Sequence, residues 1–330
     1  MRTCFVTGGT GFVGRNLIEE LISDGWHVVA LHRSTTKAEP LSALGVELRP
    51  GDVTDKESVL AALPSGVEAV FHVAANTSLW AGSHSAQYRT NVEGTRIVLE
   101  AALARKARRF IHTSSGAAWG LVDETITEST PSRAPDCPIR YCRTKWLAEQ
   151  EVRKALAAGL DAVILNPSNV IGRYDYQGWS RMIRLVATGK LPGVPPGKGS
   201  FCGVRQVARA HIAAVERGRT GENYLLAGAD ASLQEMVSLI GKLLDKPVPR
   251  KPTPAWLLHV AGRTSDLVSR FTGREPPLTA DAATLVCAST ICSSDKAQRE
   301  LRYEAISLQA MLEDCTRWLR DENLLFSRPG

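Results

Sequence analysis

Hydrophobic and polar positions alternate with two different periods in the first half of the chain. Short runs that are apolar throughout are separated by stretches in which apolar residues recur every three or four positions. The runs are "TCFVTG", "HVVALH", "EAVFHVAA", "RFIHTSS" and "DAVILNPS", with "VELRPGD" a weaker one. The helical period occupies "FVGRNLIEELIS" and residues 56–62, 87–105 and 141–157. A strand apolar on both sides belongs inside a parallel sheet covered by helices on both faces. The pattern predicts an α/β fold with a doubly wound parallel sheet.

After Pro167 the regularity loosens. "GKLPGVPPGKGS", residues 189–200, reads as a Gly/Pro-rich loop. "VRQVARAHIAAVERG" and "SLQEMVSLIGKLL" read as helices, "ENYLLAG" as a strand, and "TPAWLLHVAGRTSDLVSRF" as an amphipathic segment. This predicts two domains. Residues 1–166 form the domain of the doubly wound sheet, and 167–330 mainly a smaller substrate-binding cap, with some segments returning to the main sheet. Ligands of such sheets bind at the carboxyl ends of the strands, so the cleft is expected between sheet and cap.

The turn between the first strand and first helix carries Gly8, Gly9, Gly11 and Gly14. Gly9-x-Gly11-x-x-Gly14 is the dinucleotide fingerprint in its proper context, strand before and helix after, and marks a Rossmann fold. An acid that binds a ribose hydroxyl is due about 20 residues later, at the end of the second strand. His32 and Arg33 stand there, and no acid follows until Glu39. A guanidinium suits an adenosine 2′-phosphate, which an acid repels. The expected cofactor is therefore NADP(H) rather than NAD(H), with Lys37 in the same basic cluster. Asp52 follows the third strand, placed to accept from the adenine amino group. His72 reads as a packed strand residue.

"YCRTK" places Tyr141 and Lys145 on one helix face, four residues apart. A phenol is a poor acid or base at neutral pH, with a pKa near 10. A neighbouring ammonium, with the positive nicotinamide ring, stabilises phenolate and is expected to lower that value. Tyr141 then exchanges a proton with a carbonyl or alcohol. The fifth apolar run ends at Ser114 and Ser115, where a hydroxyl can orient the substrate oxygen toward Tyr141.

Composition narrows the field. Among 330 residues, 44% are hydrophobic and 22% charged, as in an ordinary soluble protein. No apolar run of about 18 residues occurs, so no membrane span is expected. The start, "TCFVTGG", lacks a basic n-region and predicts no signal peptide. Net charge is +6, but the basic run "RKARRF" sits at an expected helix end and no nucleic-acid motif accompanies it. Seven cysteines without a CxxC pair predict neither a metal site nor a disulfide framework, and point to a reducing cytoplasm.

"TGGTGFVG", "GDVTD", "FHVAA", "NVEGT", "TSSGAAWG", "YCRTK" and "NPSNVIG" occur in an order and spacing that resembles the extended short-chain dehydrogenase/reductases. The resemblance covers essentially the whole chain and includes "SSDKAQRELRYEA" near the C-terminus. It implies Ser115, Tyr141 and Lys145 as catalytic residues with Asn91 on the adjacent helix. Ser115 is preferred to Ser114 for its distance from Gly120. It implies cofactor contacts from Gly8, Thr10, Gly11, Phe12, Val13 and Gly14. Val53, Val73, Ala74 and Ala75 continue that lining, as do Pro167, Ser168 and Val170. No metal is implied, and the two long helices are expected to pair in a homodimer, with Val98, Leu99, Trp146 and Val152 outward.

Within the family, dihydroflavonol reductase and 3β-hydroxysteroid dehydrogenase-like carbonyl reductases are the nearer resemblance. Arg33 favours NADPH, the cofactor reductases consume. The segment "PGKGSFCGVRQVARAHI" lacks the arginine and aromatic pattern of sugar-nucleotide enzymes, and Gln206 stands in place of a usual aspartate. The expected pocket is largely apolar: Leu79, Trp80, Trp119, Trp179, Met182 and Phe201, with Thr77, Gly116 and Asn169 beside them. A hydrophobic ketone or aldehyde, a small-molecule substrate, is expected. "GRTGENYLLAG" and the tail also resemble proteins labelled hopanoid-associated sugar epimerases, so a nucleotide-sugar epimerase or dehydratase is the alternative.

Overall fold

The computed structural model describes residues 2–326. The chain begins with β1 (Thr3–Thr7), α1 (Phe12–Ser23), β2 (His27–His32), α2 (Thr35–Ser42), β3 (Glu47–Pro50), α3 (Lys56–Ala62) and β4 (Ala69–His72). Next come α4 (His84–Tyr88), a widened π-type turn at Arg89–Glu93, α5 (Gly94–Ala104), β5 (Phe110–Thr113), α6 (Arg140–Ala157) and β6 (Ala162–Pro167). The remainder supplies β7 (Asn169–Ile171), α7 (Ser180–Ala187), β8 (Lys198–Gly203), α8 (Val204–Arg217), β9 (Asn223–Leu226) and β10 (Ala229–Ser232). It ends with α9 (Leu233–Leu244), α10 (Ala255–Thr272), α11 (Ala280–Cys287), β11 (Ser289–Thr290), α12 (Asp295–Leu301) and α13 (Leu308–Asp321).

Seven strands form one parallel sheet in the order β3-β2-β1-β4-β5-β6-β9. The order reverses between β1 and β4, which opens a crevice beyond their carboxyl ends. Helices cover both faces, as strands apolar on both sides require. On one face Leu17, Ile18 and Leu21 of α1 pack with Val207, Ala210 and Ala214 of α8. On the other, Val59, Val98, Leu99 and Val152 form a second core from α3, α5 and α6. This corrects the expectation that Val98, Leu99 and Val152 face a partner: they are buried within one chain, and Trp146 is half-buried.

Two further differences from the sequence pattern have physical causes. Residues 87–105 are not one regular helix. The π-type turn interrupts them, and the Thr95 hydroxyl at the start of α5 donates back to the Asn91 carbonyl within it at 2.6 Å, in competition with the backbone ladder. The end of the Gly/Pro-rich segment is also not loop. β8 is the centre of a second, four-stranded sheet, with β10 antiparallel on one edge and β7 and β11 parallel on the other. Its backbone bonds are satisfied by partners far away in sequence, so local composition gives little sign of it. A third core of Ile183, Phe201, Met236, Ile240, Met311 and Leu312 packs behind this sheet.

Candidate active site

The crevice at the strand reversal is a cavity of about 750 Å³. Its floor is the turn after β1, where the glycines have separate duties. Gly8 has φ +74°, and a Cβ there would lie 2.5 Å from the Ala74 nitrogen. At Gly14 a Cβ would lie 2.1 Å from the Gly8 carbonyl oxygen, so helix and turn touch backbone to backbone. At Gly11 the only atom within reach is that same oxygen at 3.2 Å, so the missing side chain leaves open space above the turn. Gly11 is also the N-cap of α1, without a side-chain cap, and no acid occupies the first turn. Open backbone amides at a helix start suit a pyrophosphate. A dinucleotide therefore fits the cradle.

Gly8, Thr10, Gly11, Phe12, Val13 and Gly14 line the cavity together with His32, Arg33, Val53, Val73, Ala74 and Ala75. Arg33 is 72% exposed at the rim, with Nη1 3.8 Å from Asp52 Oδ2. Asp52 itself lies off the cavity wall, and its Oδ1 accepts from both Thr54 N and Thr54 Oγ1 at 2.9 Å. Lys37 also lies off the wall. Ser34 caps α2 by accepting from the Lys37 amide, and the Lys37 side chain is exposed on that helix.

Tyr141 and Lys145 on α6, and Ser115 after β5, line the same cavity. The serine pair is divided by its partners. Both line the cavity, but Ser114 is buried and its hydroxyl donates to Glu149 Oε1 at 2.6 Å, which leaves Ser115 as the hydroxyl that bonds Tyr141. Burial pushes the Tyr141 phenol up to about 12, and the Ser115 hydroxyl, as a donor to the phenolate, works against it. The chain's own groups do not produce the lowering expected from Lys145 together with the nicotinamide ring. The Lys145 ammonium donates to the Thr113 carbonyl at 2.9 Å, and desolvation dominates the phenol. Burial lowers Lys145 itself to about 8, with the Glu149 charge pulling it back upward. At neutral pH the site thus holds a protonated phenol beside a protonated amine.

Behind Lys145 lies a polar network that the reading of motifs missed. Besides Ser114, Glu149 accepts from Asn166 Nδ2 at 2.7 Å and from Asn223 Nδ2 at 3.0 Å. Asn166 Nδ2 also donates to the Ser115 carbonyl at 3.1 Å, which fixes the serine backbone. The signal was present in "YCRTKWLAE", where Glu149 follows Lys145 by one helical turn. Asn91 is buried off the cavity wall. Its Oδ1 accepts from Asn76 N at 2.7 Å, and its Nδ2 donates to Asn76 O at 2.9 Å and Thr144 Oγ1 at 3.1 Å. It clamps the loop after β4 to α6. His72 bonds Thr7 and Thr95, and burial lowers it to about 3, so it is a neutral packed residue.

Thr77, Leu79, Gly116, Pro167, Ser168, Asn169, Val170, Trp179 and Phe201 all line the cavity. Trp119 and Met182 do not. Trp119 turns into a small core with Val122, Ile126 and Leu225, its Nε1 donating to the Thr130 carbonyl at 2.8 Å, and Met182 packs behind the second sheet. Trp80 donates to Ser269 Oγ on α10 at 3.2 Å and is likewise off the wall. Their places are taken by residues the sequence reading passed over: Lys198, Leu285, Val286 and Cys292. No cluster of metal-binding side chains occurs among the described residues.

A model of the NAD dependent epimerase/dehydratase family matches residues 4–227. A ketoreductase of Stigmatella aurantiaca, named for 4-hydroxy-2-methyl-3-oxo-4-farnesyl-3,4-dihydroquinoline-1-oxide, is 33% identical over 312 residues, covering 92% of each chain. Sterol demethylase protein B of Methylococcus capsulatus is 30% identical over 328 residues, covering 98% of this chain and 100% of that one. The crystal structure of gox2253 superposes with a TM-score of 0.84 at 31% identity, covering 98% of this chain and 99% of that chain. With the parallel sheet and the glycine cradle, these matches identify the chain as a member of the NAD dependent epimerase/dehydratase family, the extended short-chain dehydrogenase/reductases.

Proposed function

We propose that the protein is an NADPH-dependent reductase of a hydrophobic ketone or aldehyde, and in reverse a dehydrogenase of the corresponding alcohol. The observation that carries this reading is the composition of one cavity. Ser115, Tyr141 and Lys145 share it with the glycine cradle, and Leu79, Trp179, Phe201, Leu285 and Val286 give its wall an apolar character. The nicotinamide cofactor, when bound, supplies the hydride. Ser115 and Tyr141 hold the carbonyl oxygen by hydrogen bonds, and Tyr141, protonated at neutral pH, delivers the proton to the forming alkoxide. Lys145 places a positive charge beside that phenol and can bond the ribose. Arg33 supports NADP(H) over NAD(H) through a 2′-phosphate. The farnesylated ketone in one relative's name agrees with an apolar carbonyl substrate.

A homodimer and a cytoplasmic location are part of this reading. Seven free cysteines agree with a reducing compartment. Exposed Tyr88 and half-buried Trp146 are apolar positions near the expected helix pair. One observation favours a second reading, a nucleotide-sugar epimerase or dehydratase: Lys198 lines the cavity and could pair with a diphosphate. Purified protein that retains NAD, and turns over UDP-sugars rather than carbonyl compounds with NADPH, would select it. The central test is Tyr141→Phe. Turnover of a good ketone should fall by about 10²–10⁴-fold, while NADPH binding, followed by fluorescence titration, persists. Unchanged reduction by this variant would remove Tyr141 as the proton donor.

A further inference from the structure

The helix α10 is amphipathic with its faces reversed. Only Gly262 and Ser269 are buried on it. Ser269 Oγ accepts from Trp80, and at Gly262 a Cβ would lie 2.8 Å from the Thr279 carbonyl oxygen, so the small-residue face lies close against the start of α11. The large apolar side chains point to solvent: Trp256 is 65% exposed, Leu267 55%, and Phe271 86%, with Leu257, Val260 and Val268 also exposed. Trp256, Val260, Leu267 and Phe271 repeat at helical spacing and form one stripe, with Leu257 and Val268 beside it. Six exposed large apolar side chains on one side of a helix of a folded protein mark a contact surface.

Charge decides what kind of surface it meets. Arg263 and Arg270 are exposed along one flank of the stripe, and Arg250, Lys251 and Arg274 are exposed just beyond its ends. The acid on the helix, Asp266, is turned away, its Oδ2 accepting from the Ala280 amide at 2.9 Å. Glu275, past the helix, accepts from Ser78. Two copies joined antiparallel through this face about a twofold axis would bring the basic flanks together. Apolar and aromatic residues on one side with arginines at the flank suit the headgroup region of an anionic bilayer. No helix among the described residues is long and apolar enough to cross a membrane, so α10 lies on such a surface rather than spanning it.

We propose that α10 docks the protein on a bilayer containing anionic phospholipid. The neighbouring elements give this docking a purpose. α10 packs on α11, whose Ala282, Leu285 and Val286 line the cavity, and Leu79 on the cavity wall precedes Trp80, which is bonded to α10. An apolar substrate dissolved in the bilayer would thereby meet the enzyme beside α11, which walls its cavity. This last clause rests on the reductase reading, while the docking itself does not.

The test is co-sedimentation of the full chain with phosphatidylcholine vesicles, with and without phosphatidylglycerol. Wild type should bind the anionic vesicles. Leu267→Glu combined with Phe271→Glu should reduce the bound fraction by at least about tenfold, with far-ultraviolet dichroism unchanged. Arg263→Glu combined with Arg270→Glu should abolish the preference for phosphatidylglycerol. Wild type that ignores all vesicles, or apolar-face variants that bind as well as wild type, would overturn the proposal. So would a dimer, seen by ultracentrifugation, that Leu267→Glu/Phe271→Glu dissolves. Turnover of a water-soluble aldehyde with NADPH is measured on the same proteins. Its absence in all of them would count against the reductase reading and leave the vesicle result standing.

Discussion

The two ends of the cavity are built from different materials. The floor after β1 is backbone: a glycine turn, an uncapped helix start and the close-packed strand end at Val73 and Ala74. The opposite end is side chain. Tyr141, Lys145 and Ser115 meet Trp179, Phe201 and Leu285 there, with Lys145 held by the Thr113 carbonyl and the Ser115 backbone by Asn166. The floor is closed to added atoms at Gly8 and Gly14, whereas the other end depends on which buried groups carry charge. The largest effects of substitution are therefore expected on the floor, and the most pH-dependent ones opposite it.

Gly14→Ala is the severe case. The new methyl would lie 2.1 Å from the Gly8 carbonyl oxygen, 2.7 Å from the Gly8 carbonyl carbon and 2.9 Å from the Gly9 Cα, all backbone. None can rotate aside, so α1 must shift from β1, at a cost of roughly 3 kcal/mol or more. We expect a lower melting temperature together with loss of NADPH binding. Gly11→Ala is its counterpart, with one contact at 3.2 Å and open space beyond. It should melt like wild type and bind NADPH poorly. A Gly14→Ala protein with the melting temperature of wild type would erase the contrast between the two glycines.

The same division governs how much was legible in the sequence. The floor depends on residues spaced a few positions apart, so "TGGTGFVG" describes it almost completely. The alternation of strand and helix up to Pro167 is likewise local and reads directly. The other end is assembled by pairing at long range. β8 becomes a strand because Phe201 lies opposite both Asn169 and Ala229, which no window of sequence contains. Trp119 and Met182 had the right chemistry for a pocket, but an apolar side chain satisfies a core equally well, and that is where both went. Val98, Leu99 and Val152 taught the same lesson on the helices. The inverted face of α10 was legible only as amphipathicity; its direction required knowing which side met α11.

Arg33 is the side chain on which the proposed preference for NADP(H) rests. It is largely exposed, and its ion pair with Asp52 at 3.8 Å contributes about 0–1 kcal/mol, so Arg33→Ala should melt normally. Its expected effect is on choice of cofactor. Losing a charged hydrogen bond to a phosphate should lower the NADPH-to-NADH ratio of kcat/KM by about 10–100-fold. An unchanged ratio would mean that the floor reads only the pyrophosphate, and that the preference for NADP(H) has no basis at β2.

Glu149→Gln should give the mildest effect on turnover at neutral pH, and tests whether buried charge sets the chemistry opposite the floor. Lys145 has a folded value of about 8 against an ordinary 10.5. Between those values the unfolded chain holds a proton that the folded chain has lost, so this residue makes stability rise with pH across that window. Below about 8 the buried ammonium opposes folding, and the Glu149 charge offsets part of that cost. For carbonyl reduction, kcat/KM should therefore fall above about pH 8 as the ammonium beside Tyr141 is lost. Removing the Glu149 charge lowers the Lys145 value further and moves this alkaline limb to lower pH. A glutamine amide also meets the Asn223 donor at the same place, so a loss of about 1–3 kcal/mol in stability is expected. Glu149→Asp keeps the charge and should leave the limb nearer its wild-type position. A limb that stays fixed in Glu149→Gln, with stability lowered, would leave Glu149 as a packing anchor for Ser114 and Asn166 and not as the partner that keeps Lys145 charged.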